Sequence, residues 1–501
     1  MRWTVAGAIL FVCLSPVLAA TADRPETLEN TLKRGFKLYQ TQQCPEAVAI
    51  LKDAVEAPSF SQVKADQQYS ALLALAACYY NTRDYAASSR IAQVLTENPF
   101  ATTHDWEMRF YVGFASQDFA SSAIALTYLA QHHPETLSSL PPQNVSLLVE
   151  AEKKTPEGRA RNDALLNSLF AAKWRPVDQP PLVVDTLWLP LVRSDIEAGR
   201  LDHARLVAAS INAPIAREAM WADKAFDPIT GGDPAHFGIE AYYTAEVARE
   251  RAEMVAHPDL LSYVVPLAQL LSQLDSQDEA LALLDDTIAK MKVEDRFRDM
   301  RMANWIEDAR AEVLNTMGDG EAWRAHLEAA VQENEKQVHG NASQTINLAG
   351  FYCSQGLPKD ALKLLKRVTS DNTSPYGVMA AEEVRACAYT LQNDTAGLAQ
   401  SVAFAKAHST DAPLLAIRVM LYANDIEAAA TLALGFLADP DRRWQVLTRL
   451  HHHKASRYRP ANALSESPGL SWSALRDRAD IRAAADKFGR ILDLPTVHSG
   501  F

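Results

Sequence analysis

The chain lacks any dense stripe of lysine and arginine. Its basic clusters are short and isolated, as at Lys153-Lys154 and Arg442-Arg443, and the formal charge is −13. Such a surface repels phosphate backbones and anionic membrane faces, so nucleic acid is not an expected partner. Beyond the N-terminus no apolar run reaches the roughly 20 residues that a spanning helix needs. Four chemical signatures are also missing: His-Glu-x-x-His, Cys-x-x-Cys, Gly-x-x-x-x-Gly-Lys and Gly-x-Ser-x-Gly. No catalytic residue, metal ligand or cofactor is therefore assigned, and a non-enzymatic role is expected. Ser61-Gln62-Val63-Lys64 fits a Ser-x-x-Lys pattern, but it falls between helices without partner motifs. Asp227 and Asp233 flank glycines without the spacing of a calcium loop. His451-His452-His453 reads as a solvated helix end, since consecutive helical residues diverge by about 100° and cannot close on one ion.

Cysteine is scarce. Cys13 lies in an N-terminal stretch that reads as a secretory signal over residues 1–22. Arg2 supplies the positive start, Thr4 to Leu18 the apolar run, and Ala20-Thr21-Ala22 a small-x-small cleavage site. The mature protein is expected to be periplasmic or secreted, with no membrane insertion after cleavage. Four cysteines remain, Cys44, Cys78, Cys353 and Cys387, in two equally spaced pairs. An oxidising compartment would allow two bridges between neighbouring repeats; buried free thiols are the alternative. Cys353–Cys387 is the favoured pair, because both fall in the first helices of adjacent hairpins.

What the sequence does have is a recurring spacing. Ala47-Leu51-Ala54-Pro58, Ser88-Ala92-Leu95-Pro99, Ala123-Thr127-Ala130-Pro134 and Ala429-Ala433-Phe436-Pro440 each read i, i+4, i+7, i+11. The first three residues share a helical face and the proline ends the helix. With 48% apolar residues, the chain can bury a continuous core. The pattern predicts an all-α fold, an α-solenoid of about nine antiparallel helix pairs.

These units resemble the tetratricopeptide repeat superfamily. Gly35 and Ala76 match the small residue of its first helix, and Ala47 and Ala123 the alanine of its second. Asp84-Tyr85 and Asp425-Ile426 match its turn. The resemblance implies a right-handed superhelix whose concave face is lined by first helices. It also implies a protein or peptide partner. Tyr39, Gln40, Tyr80 and Asn81 fall where groove-facing residues would lie, and are the candidate partner-binding set. Phe36 and Ala77 stand where a carboxylate-clamping member would need basic or amide groups.

The expected organisation follows. Residues 23–134 form an N-terminal repeat block and residues 261–440 a C-terminal one. Between them, 135–260 is rich in proline and holds Trp174, Trp188 and Trp221. It reads as a junction with helices near 159–172, 194–211 and 239–256 and a loop over Phe226 to Phe237. Residues 441–501 cap the stack, with a helix from Ser473 through Leu475, Ile481 and Phe488. The expected function is an exported adaptor or scaffold holding a protein partner in bacterial cell-envelope assembly. The alternative is an enzyme with a site in the junction. Sequencing of the mature N-terminus should begin near Ala22; a mature chain that starts at Met1 overturns the export signal.

Overall fold

The computed structural model describes residues 26–293, 297–335, 342–458 and 472–497. The 1–22 signal lies outside them, as does 459–471 of the capping region. The chain divides into two compact units. The first holds residues up to 133 together with 150–161; the second holds 134–149 and everything from 162 onward.

The first unit is built from three helix pairs. These are α1 (Leu28–Gln40) with α2 (Cys44–Glu56), α3 (Ala65–Asn81) with α4 (Tyr85–Thr96), and α5 (Thr103–Ala115) with α6 (Phe119–His132). Two further helices, α7 (Pro142–Glu152) and α8 (Pro156–Ala171), are shared between the units. Small residues let the helices approach closely. A Cβ at Gly35 would stand 2.4 Å from Leu51 Cδ2. Ala47, Leu51 and Ala76 are fully buried. Ser88 Oγ donates across its hairpin to the Ala76 carbonyl at 2.8 Å, and Ser122 does the same to Phe110 at 2.9 Å. Each hydroxyl satisfies a buried carbonyl at the crossing of two helices.

The second unit continues with α9 (Trp188–Glu197), α10 (Leu201–Ala209), α11 (Pro214–Ala222), the short α12 (Asp227–Thr230) and α13 (Ile239–Ala256). Five pairs follow: α14 (Val264–Gln273) with α15 (Gln277–Val293), α16 (Ala303–Thr316) with α17 (Gly320–Glu335), α18 (Ser343–Ser354) with α19 (Pro358–Leu365), α20 (Pro375–Gln392) with α21 (Thr395–Ala407), and α22 (Pro413–Tyr422) with α23 (Ile426–Ala438). After α24 (Arg443–Leu450), strand β1 (His452–Lys454), α25 (Trp472–Arg476) and α26 (Ala479–Phe488), strand β2 (Asp493–Val497) pairs parallel to β1.

One local device makes the hairpins. Among the described residues, nine pairs turn on a single residue of positive φ: Gln42, Arg83, Gln117, Gly199, Asp275, Gly318, Gly356, Asn393 and Asn424. In each case the next amide donates to the carbonyl five residues back, at 2.8 to 2.9 Å. This is the left-handed helix stop that satisfies the last carbonyls of a helix. Where that next residue is aspartate, its carboxylate also caps the following helix. Asp84, Asp118, Asp319, Asp394 and Asp425 accept from the amides of Ala87, Ser121, Ala322, Gly397 and Ala428. One residue thus closes one helix with its backbone and opens the next with its side chain.

Several expectations need correction. The helix expected over 194–211 breaks at Gly199, whose φ of +72 makes it a hairpin turn between α9 and α10. The histidine run is no solvated helix end. The chain leaves α24 at His451 and becomes extended, so the three rings alternate: His451 buried, His452 exposed, His453 half-buried. The C-terminal helix is two helices followed by a strand. Arg478 is held extended between them by ion pairs to Glu427 and Asp480. Gly489 then passes so close to α11 that a Cβ would meet the Ala222 carbonyl at 2.5 Å. Trp174, Trp188 and Trp221 are all buried; Trp174 Nε1 donates to the Leu137 carbonyl, and Trp221 stacks on Phe237. Both glycine-flanking aspartates are occupied structurally, Asp227 by Arg490 and Asp233 by the Ala235 amide.

Cys44, Cys78, Cys353 and Cys387 are all paired. Cys44 is bridged to Cys78, with a Cα separation of 4.8 Å, and Cys353 to Cys387, with 6.4 Å. Each bridge links α-helices of neighbouring pairs and closes a loop of sequence separation 34. In the chain-entropy account a loop of that length is worth about 3 kcal/mol. Replacing Cys353 and Cys387 together by alanine should therefore lower the denaturation midpoint of the oxidised protein and leave that of the reduced protein nearly unchanged. Equal midpoints under oxidation would remove the bridge from the stability of the second unit.

Candidate functional site

In the first unit, Tyr39 and Tyr80 occupy equivalent places, each three residues before the positive-φ turn of its hairpin. Phe114 holds the same place in the third pair, packed against Phe119. Tyr39 is half-buried beside Phe36. Tyr80 is 44% exposed, with its ring centroid 5.5 Å from that of Tyr85. Gln40 and Asn81 are exposed, and the Asn81 amide donates to Cys44 Sγ at 3.6 Å. The Cys44–Cys78 bridge therefore sits directly beside this set. Tyr39 packs, partly buried, against the core of this unit, whereas Tyr80 lies at its surface.

The second unit contains a cavity of about 310 Å³. Its walls come from α11, α13, α14, α24 and the β1–β2 pair. The fold reaches this arrangement through Asp223, just beyond α11. Its carboxylate is fully buried and takes Arg193 at 2.8 Å and Arg443 at 3.1 Å. Arg490 adds a second tie, pairing with Asp227 while its amide donates to the Ala222 carbonyl. A third lies where Arg457 and Ser456 bind Asp275 in the α14–α15 turn. These contacts hold the C-terminal residues against helices more than a hundred positions earlier.

Three carboxylates line the cavity: Glu218 on α11, and Glu246 and Glu250 on α13. Burial pushes Glu218 up to about 7, opposed by a hydrogen bond from Tyr243 and by the charge of Arg449. Burial likewise raises Glu250 to about 7; Arg249 opposes the shift and Glu246 adds to it. Arg249 bonds both Glu246 and Glu250. Tyr243 is itself raised by burial and by Glu218. Arg449 lines the opposite sign of wall, its affinity for a proton lowered by burial and by Arg418. His453 reaches the cavity from β1 and contacts Thr496 at 3.0 Å. Its neighbour His451 is buried and lowered to about 3, and accepts from the Leu492 amide through Nδ1. His451 is therefore neutral at any physiological pH.

These acids were not singled out in the sequence. They sit on helices, where glutamate ordinarily marks a solvated face. A signal exists nevertheless: Tyr243, Glu246 and Glu250 stand at i, i+3, i+7, so the acids share the face of a buried tyrosine. Glu218 precedes Ala219-Met220-Trp221-Ala222, all buried. Among the described residues no group of three His, Cys, Asp or Glu side chains could hold a metal ion.

No family model and no curated protein matches this chain. Among solved structures it is similar to Naa15/Naa10 bound to HypK-THB, at 14% identity and a TM-score of 0.25, over 83% of this chain. The chain spans 64% of the length of that structure. It is similar to yeast Tom70, at 12% identity and a TM-score of 0.35, over 84% of this chain and 94% of that one. It is also similar to the TPR domain of P58(IPK), at 11% identity and a TM-score of 0.21, over 81% and 98%. The all-α architecture of antiparallel helix pairs itself stands on the helices and turns described above.

The raised carboxyl of Glu218 sets a pH dependence. A group that keeps its proton longer in the folded chain contributes stability that is full below its unfolded value near 4.5. That contribution is lost as the pH rises through about 7. Glu218→Gln stays neutral throughout, and its amide carbonyl can still accept from Tyr243. The variant should melt near the wild type at pH 5 and above it at pH 8, by an increment on the order of 1–3 kcal/mol. A melting difference that is the same at both pH values removes Glu218 as the titrating group.

Proposed function

We propose that this protein is an exported helical-repeat adaptor that captures a protein or peptide partner. The observation that carries the reading is the equivalent placement of Tyr39 and Tyr80 at the turns of successive hairpins, with Tyr80 largely exposed. Stacked hairpins present such repeated side chains on a rigid frame, so a ligand meets them at low entropic cost. Tyrosine supplies apolar area and a hydroxyl with few rotors to freeze. Export is supported by two features: the signal-like stretch at 1–22 and the two bridges, which belong to an oxidising compartment. A role in bacterial envelope assembly is the setting we propose for such a protein.

An enzymatic reading has one observation in its favour, the raised pKa of Glu218 and Glu250 on one cavity. Binding remains the preferred reading, because Arg249 already holds Glu246 and Glu250 as a static pair.

The test is capture by cross-linking. A photoreactive residue at Gln40 or Asn81 should trap a partner in the envelope of the native host. Tyr39→Ala combined with Tyr80→Ala should weaken that capture about tenfold or more, with helix content unchanged. Undiminished capture by the folded double variant would move the binding surface elsewhere.

A further inference from the structure

Two groups of opposite charge line the cavity of the second unit, the buried Glu250 and the half-buried Arg449, and each keeps bonding capacity that no described residue fills. Glu250 is 2% exposed; Arg249 pairs with its Oε1, and its Oε2 accepts no hydrogen bond. Arg449 makes no hydrogen bond or ion pair among the described residues. A buried charge left unpaired is costly, and the cost falls when an opposite charge arrives. Had these two side chains been in reach of one another, they would have paired. They instead stand apart on one cavity, which a molecule with a cation at one end and an anion at the other would bridge.

The rest of the wall sharpens the ligand. Glu218 and Glu246 add two carboxylates, while Arg249 offsets part of that charge from behind. Among the described residues, the cavity therefore holds an excess of acid beside the Arg449 guanidinium. Its complement carries two positive groups and one negative. Gln269 and Gln273 on α14 offer further amides. The volume, about 310 Å³, is at the small end for organic ligands. Pro214, Ile215 and Leu270 give it apolar wall for an aliphatic stem.

We propose that this cavity binds a basic α-amino acid. Arg449 takes its α-carboxylate, Glu218 its α-ammonium, and the free oxygen of Glu250 the guanidinium or ammonium of its side chain. The same chemistry is offered, without the α-ammonium, by the last residue of a peptide ending in arginine or lysine. This site is independent of Tyr39 and Tyr80, which belong to the other unit.

Calorimetry on the full mature chain tests the assignment with L-arginine, L-lysine, agmatine and Gly-Gly-Arg as probes. Saturable binding of L-arginine or L-lysine is expected. Agmatine, which has no carboxylate, should bind at least tenfold more weakly. Arg449→Gln should lower arginine affinity about tenfold or more and leave agmatine affinity nearly unchanged. Glu250→Gln should weaken both. Tighter binding of Gly-Gly-Arg than of arginine assigns the site to a chain terminus; weaker binding assigns it to the free amino acid. Thermal melting confirms that each variant is folded, and Arg449→Lys serves if the glutamine variant is not. Three results overturn the proposal: no saturable heat from any probe with folded wild type, agmatine binding as tightly as arginine, or affinity unmoved by both substitutions.

Discussion

The carboxylate of Asp223 holds the second unit together. It is fully buried, yet it carries two guanidinium groups, from Arg193 and Arg443, and accepts the Ala225 amide. A buried acid so placed is stable only while all its partners remain. Removing one leaves an uncompensated charge in the interior, so the site tolerates little change. Through Asp223 the stretch after α11 is fixed to α24, and through α24 to the strands beyond it. The cavity acids and Arg449 therefore face one another because this one carboxylate is satisfied.

Much of the architecture was legible in the sequence because its causes are local. Alanine, leucine and proline at i, i+4, i+7, i+11 encode a packed face and a stop within one helix. Aspartate after five of the nine turns encodes the next helix start, as at Asp84 and Asp425. The 239–256 helix was legible for the same reason. The places that misled were those decided by distant residues. His451 looked solvated, but the Leu492 amide, just before β2, donates to its ring in the interior. Gly489 does close α26, but the lack of a side chain that its position demands is set by Ala222 and Leu447 across the core.

The candidate sites divide along the same line. Tyr39 and Tyr80 could be picked out because the repeat register marks them. Glu218, Glu250 and Arg449 could not, because no register links residues brought together from α11, α13 and α24. Their chemistry is created by packing: burial raises the two acids, and the fold sets the half-buried Arg449 on the same cavity with no ion pair among the described residues. The junction segment expected between two repeat blocks supplies two of the cavity walls, and belongs mostly to the second unit.

The closing ties of the second unit also set the order in which it can be made. Each hairpin is stopped by a bond spanning five residues, so hairpins form as soon as their own sequence is present. Asp223–Arg443, Asp227–Arg490 and Asp275–Arg457 instead join positions separated by 220, 263 and 182 residues. Such contacts carry the full entropic cost of closing a long loop before they return any energy. A chain emerging from its N-terminus therefore waits, with its helices already wound, until its last strand arrives. During that interval the inner faces of α11 and α13 have no cover, and a holding chaperone would find them there.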